Sequence, residues 1–210
     1  MMRQQVFVME ASEVQMKRAI NVILFYIVSF TWGILMSSIG AIVGLVLMCC
    51  GVKPRLFYHV VYFEVGKGWG GLELGCFFIC SKGSSKQLKQ HEAGHGFQNA
   101  WFGPFMPFIV TIPSAFRYWL YEIKRENHNF YAFIVWLCAT VLGLAVVGIG
   151  FGIFNSWWFF GIGLAIVFYF SLLCAWAYFI EIPKHKDGYV VYDSIWFEGQ
   201  ASSLGAKYFK

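Results

Sequence analysis

His91, Glu92, Ala93, Gly94 and His95 set two imidazoles four residues apart, with a carboxylate next to the first. On a helix, positions i and i+4 stack on one face, so both rings can reach a single metal ion. Zinc suits such a pair: it accepts nitrogen and carboxylate ligands, and catalytic sites keep three protein ligands and one open position. Zinc lowers the pKa of a bound water to about 7. Glu92 stands where it could take the proton that such a water gives up.

The pattern requires a third ligand. The carboxylates expected on the same side of the molecule are Glu64, Glu73, Glu122, Glu126, Glu181, Asp187, Asp193 and Glu198. Glu198 stands out because it falls within a helical stretch, Trp196 to Ser202, where Gly199 and Ala201 leave room for another helix to approach. His91, His95 and Glu198 are therefore the candidate metal ligands, and Glu92 is the candidate catalytic base. Gln98 follows on the same helical stripe as both histidines. His59, His128 and His185 read as structural or solvated, and any of His128, His185, Tyr118, Tyr121 or Tyr192 could serve an oxyanion.

HExxH followed by Glu198, Gly199, Gln200 and Ala201 resembles the gluzincin pattern of membrane metallopeptidases, of which the HtpX and CAAX-prenyl-protease types are nearest in motif. The segment is also similar to small membrane proteins with HExGH, a following Gly-Pro and a late aromatic-Glu helix. The resemblance implies zinc bound by His91, His95 and Glu198, and peptide-bond hydrolysis with Glu92 as general base. The non-enzymatic alternative is a membrane scaffold that keeps zinc for stability. In one respect the chain departs from the pattern. Ser202 occupies the place of an Asp that orients a zinc-bound histidine, which removes a charge from the ligand's support. Site-2-protease-like enzymes share HExGH but take an Asp from a late span, and residues 130–154 and 157–180 contain no carboxylate.

The elements that must position these residues are mostly apolar helices. The chain has 210 residues, of which 59% are hydrophobic and only 13% charged; ordinary soluble domains are about 25% charged. A single domain cannot hide that much apolar surface, so lipid is the expected solvent. The fold class expected is a mainly α membrane protein of one polytopic domain, with about three transmembrane helices, an interfacial HExxH helix and a small antiparallel β-hairpin. Residues 19–52 carry no charge and would make a helix of about 50 Å, longer than the hydrocarbon core of about 30 Å. They read as one span, residues 20–50, tilted or broken near Gly40, Gly44 or Gly51. Residues 130–154 and 157–180 read as a tight pair of spans joined by Asn155 and Ser156, with Trp157 and Trp158 as interface anchors.

Between the spans, residues 56–65 and 72–80 read as the two strands of the hairpin, turning at Gly66 to Gly71. An edge of this hairpin beside the site helix could pair an extended peptide. Ser84 to Gln87 has capping-box form and Gly103-Pro104 is a stop, which predicts the HExxH helix between them. Residues 101–116, interrupted by three prolines, read as an interfacial or re-entrant segment leading into an amphipathic helix through Arg117 and Lys124. A short strand near residues 189–192 and a last helix, capped by Asp193 or Ser194 and stopped at Gly205, complete the chain. Residues 3–18 predict a short amphipathic helix.

Charge sets the expected orientation. The two late spans return the chain to its starting side, so residues 53–129 and 181–210 share one face. That face holds every Lys and Arg except Arg3, Lys17 and Arg18, which marks it as cytoplasmic. The expected partners are the bilayer and a peptide or membrane-protein substrate. The basic residues are too scattered to suggest nucleic acid. Six cysteines without a CxxC pair read as buried free thiols.

Overall fold

The structure, a computed structural model, describes residues 20–123, 127–185 and 192–209. The expected helix over residues 3–18 and strand near residues 189–192 lie outside the described residues. The chain divides into two compact units, Met1–Val110 with Tyr192–Lys210, and Thr111–Val191.

In the first unit, α1 (Ile20–Phe30) and α2 (Ile34–Cys49) are separated by a 92° bend. Residues 20–50 are therefore not one continuous helix. The break falls at Thr31 to Gly33, and Gly40 and Gly44 lie inside α2. Those two glycines are buried because other backbone and rings press on them. A Cβ on Gly40 would sit 2.2 Å from the Leu74 carbonyl oxygen, and one on Gly44 would sit 3.0 Å from the Phe63 ring. Each glycine thus marks a contact; neither ends the helix.

The sheet is larger than the expected hairpin. It comprises β1 (Arg55–Phe57), β2 (Val60–Glu64), β3 (Gly71–Leu74) and β4 (Phe77–Cys80), in the order β1-β2-β4-β3. Each expected strand folds back on itself into a hairpin, β1 with β2 and β3 with β4, and the inner strands β2 and β4 pair in parallel. The physical reason is the two turns. Tyr58 takes φ 54° and Gly75 takes φ 75°, so the chain reverses inside each apolar run.

α3 (Lys86–Phe102) carries the HExxH residues and ends at Gly103. Its cap is Ser85, whose hydroxyl accepts from Leu88 N at 3.1 Å; Ser84 instead donates to the Ser81 carbonyl. The last helix of the chain, labelled α7 below, also belongs to this unit. A core of Phe25, Val60, Tyr62, Phe78, Ala93 and Phe209 joins α1, the sheet, α3 and the end of the chain.

The second unit contains α4 (Ile112–Tyr118), α5 (His128–Phe154) and α6 (Trp157–Lys184). α5 and α6 are long and apolar enough to cross a membrane, and the bent pair α1–α2 would make a third span if it counted as one. The two helices cross closely: a Cβ on Gly143 would lie 2.7 Å from the Gly163 oxygen. Asn155 turns between them at φ 47°. Arg117 does not lie on a solvated amphipathic face. It is fully buried and its Nε donates to Glu181 at 3.2 Å. The Tyr121 ring lies between His128 and His185, at centroid distances of 4.3 and 3.9 Å.

Back in the first unit, α7 (Trp196–Tyr208) follows a short turn, Tyr192–Ser194. Neither Asp193 nor Ser194 caps it, and it runs through Gly205, which lies inside the helix. Gly205 is there because α3 is too near for any side chain: a Cβ would stand 1.9 Å from the Gln90 oxygen.

Candidate metal centre

The centre lies where α3 and α7 approach through small residues. Gly94 faces Ala201, and a Cβ on Gly94 would sit 2.0 Å from the Ala201 oxygen. With Gly205 against Gln90, this lets two backbones meet, and Glu198 on α7 reaches both histidines on α3. His91 Nε2 and His95 Nε2 are 3.1 Å apart, and each is 3.1 Å from Glu198 Oε2. Two ligand atoms held about 2.0–2.1 Å from one tetrahedral ion lie about 3.3 Å apart. The triangle is therefore close to what one zinc ion spans with three of its four positions. Among the described residues, the ligand-competent group consists of these three alone.

Their hydrogen bonds decide which nitrogens are free. Gln98 Nε2 donates to the Phe197 carbonyl at 2.7 Å and to Gln200 Oε1 at 2.9 Å, which turns Gln98 Oε1 toward His95 Nδ1 at 2.7 Å. An amide oxygen only accepts, so His95 carries its hydrogen on Nδ1. Ser202 Oγ donates to Asp193 Oδ2 at 3.0 Å and lies 2.8 Å from His91 Nδ1. Its own hydrogen is committed to the carboxylate, so His91 Nδ1–H donates to it. With Nδ1 carrying a hydrogen in each ring, Nε2 is the nitrogen left to ligate, and both Nε2 atoms face the same buried carboxylate oxygen. Three ligand atoms this close are held together by a shared proton or by a cation between them. The donor set fits a zinc ion.

The sequence offers Asp193 as a possible ligand or helix cap, and the structure gives it another place, accepting from Ser202. It lies nine residues before Ser202, outside α7, at no spacing that a motif would register. Gln98 was visible from its place on the stripe. Glu92 is 5% exposed, beneath the start of β3, where a Cβ on Gly71 would lie 2.5 Å from its Oε1. Burial pushes the Glu92 carboxyl up to about 7; the charge of His91 opposes that shift and Glu198 adds to it. Burial likewise raises Glu73, a β3 residue whose carboxylate accepts from Gly75 N.

Glu64 pairs with Arg55 and Lys89 at 3.1 and 3.0 Å, and Glu181 pairs with Arg117. Asp187 and Glu126 lie outside the described residues. His59 contacts Phe25, Tyr26 and Phe209. Tyr118, Tyr121, His128 and His185 belong to the second unit. No family model, curated protein or solved structure matches the chain.

Proposed function

We propose that the chain is an integral membrane zinc metallopeptidase that hydrolyses peptide bonds at the cytoplasmic face. The observation that carries this reading is the 3.1 Å triangle of His91 Nε2, His95 Nε2 and Glu198 Oε2. When bound, zinc supplies a Lewis acid for the scissile carbonyl and acidifies a water. His91, His95 and Glu198 hold the ion. Ser202 and Gln98 fix the two rings in the ligating tautomer. Glu92, buried beside His91, takes the proton from the attacking water and returns it to the leaving amine. In the metal-free chain burial raises this carboxyl to about 7, which favours its taking up a proton. The two apolar helices α5 and α6 support the membrane assignment, and the distribution of Lys and Arg supports the cytoplasmic side.

Metal analysis of the detergent-solubilised protein tests the reading. Wild type carries about one zinc per chain, and Glu198→Ala loses it, because one of three ligands is gone. Glu92→Gln keeps the zinc and abolishes hydrolysis. Wild-type protein without stoichiometric zinc would sink the proposal. Zinc retained in a wild-type protein that hydrolyses no peptide would reduce it to the scaffold alternative, and full peptidase activity in Glu92→Gln would remove Glu92 from the role of base.

A further inference from the structure

α1 and α2 form a bent pair with two unlike sides. The inner side is narrow and made of residues that other elements cover. Phe25 packs edge-on to His59 and against Phe97 of α3. Ser37 meets Gly75 in the β3–β4 turn, Gly40 meets Leu74 and Gly44 meets Phe63. The outer side is broad, uncharged and uncovered within the unit: Ile23, Leu24 and Ile27 on α1, and Ile39, Ile42 and Val46 on α2, are each 40–62% exposed.

We propose that α1 and α2 do not cross the membrane. They lie along its surface as a bent seat, with the outer apolar face in the lipid and residues 1–19 on the same side as the metal centre. Length gives the first argument. At 1.5 Å per residue the limbs measure about 16 and about 24 Å, each short of a hydrocarbon core of about 30 Å.

The sheet gives the second. The middle of α2 touches β2 and β3, so if α2 crossed the bilayer the sheet would lie at hydrocarbon depth. β1 and β3 are the edges of that sheet, each with a strand neighbour on one side alone, and lipid cannot satisfy the outward backbone groups of an edge strand. A helix pair lying in the interface avoids this. Its outer face sinks about 5–10 Å and its inner face keeps the sheet in water. Trp32 at the bend and Trp101 beside it, 48% and 56% exposed, suit that level.

Charge gives the third. If α5 and α6 are the only crossings, the far side of the membrane receives only the Asn155-Ser156 turn. All 16 Lys and Arg then lie on one face. A crossing by residues 20–50 would put Arg3, Lys17 and Arg18 on the far side, two of them immediately before the helix, against the positive-inside bias.

The inference rests on the membrane part of the reading above and is independent of the zinc. Retention of the full chain in membranes after an alkaline wash reports that part separately. A reporter of sidedness is then fused in turn to each end of the full chain. Both ends on the same face is the expected result; ends on opposite faces overturn the proposal, since three crossings separate them. Depth supplies a second readout. A spin label on Ile42→Cys, with exposed Cys49, Cys50 and Cys138 replaced by Ser, should read about 5–10 Å below the headgroups. A label at the bilayer midplane, or one in water, overturns the proposal as well.

Discussion

Asp193 accepts from Ser202, and Ser202 accepts from His91, so a carboxylate acts on a candidate metal ligand through one intervening hydroxyl. The charge that the gluzincin pattern places in the position of Ser202 is supplied from outside the helix. Asp193→Asn should therefore weaken zinc binding by roughly 10–100-fold, measured by competition with a chelating dye. In a Ser202→Asp background, where a carboxylate meets His91 directly, the same change should cost little. Glu92 carries a different prediction. Its folded pKa of about 7 lies above its ordinary value, so the metal-free fold binds a proton that the unfolded chain releases. Stability from this group is present below about pH 4.5 and is lost as pH rises through about 7. In metal-free protein, Glu92→Gln should raise the melting temperature at pH 8 more than at pH 5, by the equivalent of about 1–3 kcal/mol. An equal effect at both pH values would show that burial does not hold the proton.

The helix pair α3–α7 depends on glycines that the sequence offers without saying what they face. Gly94→Ala and Gly205→Ala change no ligand side chain, yet each new Cβ meets a carbonyl oxygen of the other helix at about 2 Å. The helices must part, and zinc content should fall sharply in both variants; retained stoichiometric zinc would mean the contact is soft. Local signals were most readable where the chain declares them by type and spacing: the HExxH helix, its stop at Gly103, and the two long apolar helices. They failed where a contact decides the structure. Tyr58 reverses an apolar run with no Gly or Pro to announce it, so a hairpin read as one strand. The bend between α1 and α2 was sought at Gly40 and Gly44, which a distant sheet occupies. It falls at Thr31 to Gly33, where Asn99 of α3 donates to the Gly33 carbonyl. Glycine in the sequence marks a close approach as often as a turn, and only the partner tells them apart.

The two units divide the chemistry. All three candidate ligands and the supporting residues Gln98, Ser202 and Asp193 belong to the first, and the second keeps its own buried pair of Arg117 and Glu181. Zinc binding should stabilise the first unit by about 4 kcal/mol at a free concentration 1,000 times the Kd. Chelation should accordingly speed amide hydrogen exchange in α3 and α7 and leave α5 and α6 unchanged; uniform loosening would show one cooperative body. The first unit is also discontinuous, since Thr111–Val191 interrupts it. His95 and Glu198 are 103 residues apart, and at about 5–20 residues per second the ribosome needs roughly 5–20 s to make that stretch. During synthesis the two imidazoles wait with an incomplete donor set while both apolar helices emerge and are placed. A nascent chain stalled before Glu198 can offer zinc only two of the three proposed ligands, so on the proposed reading the ion would be captured last, after both apolar helices have been made.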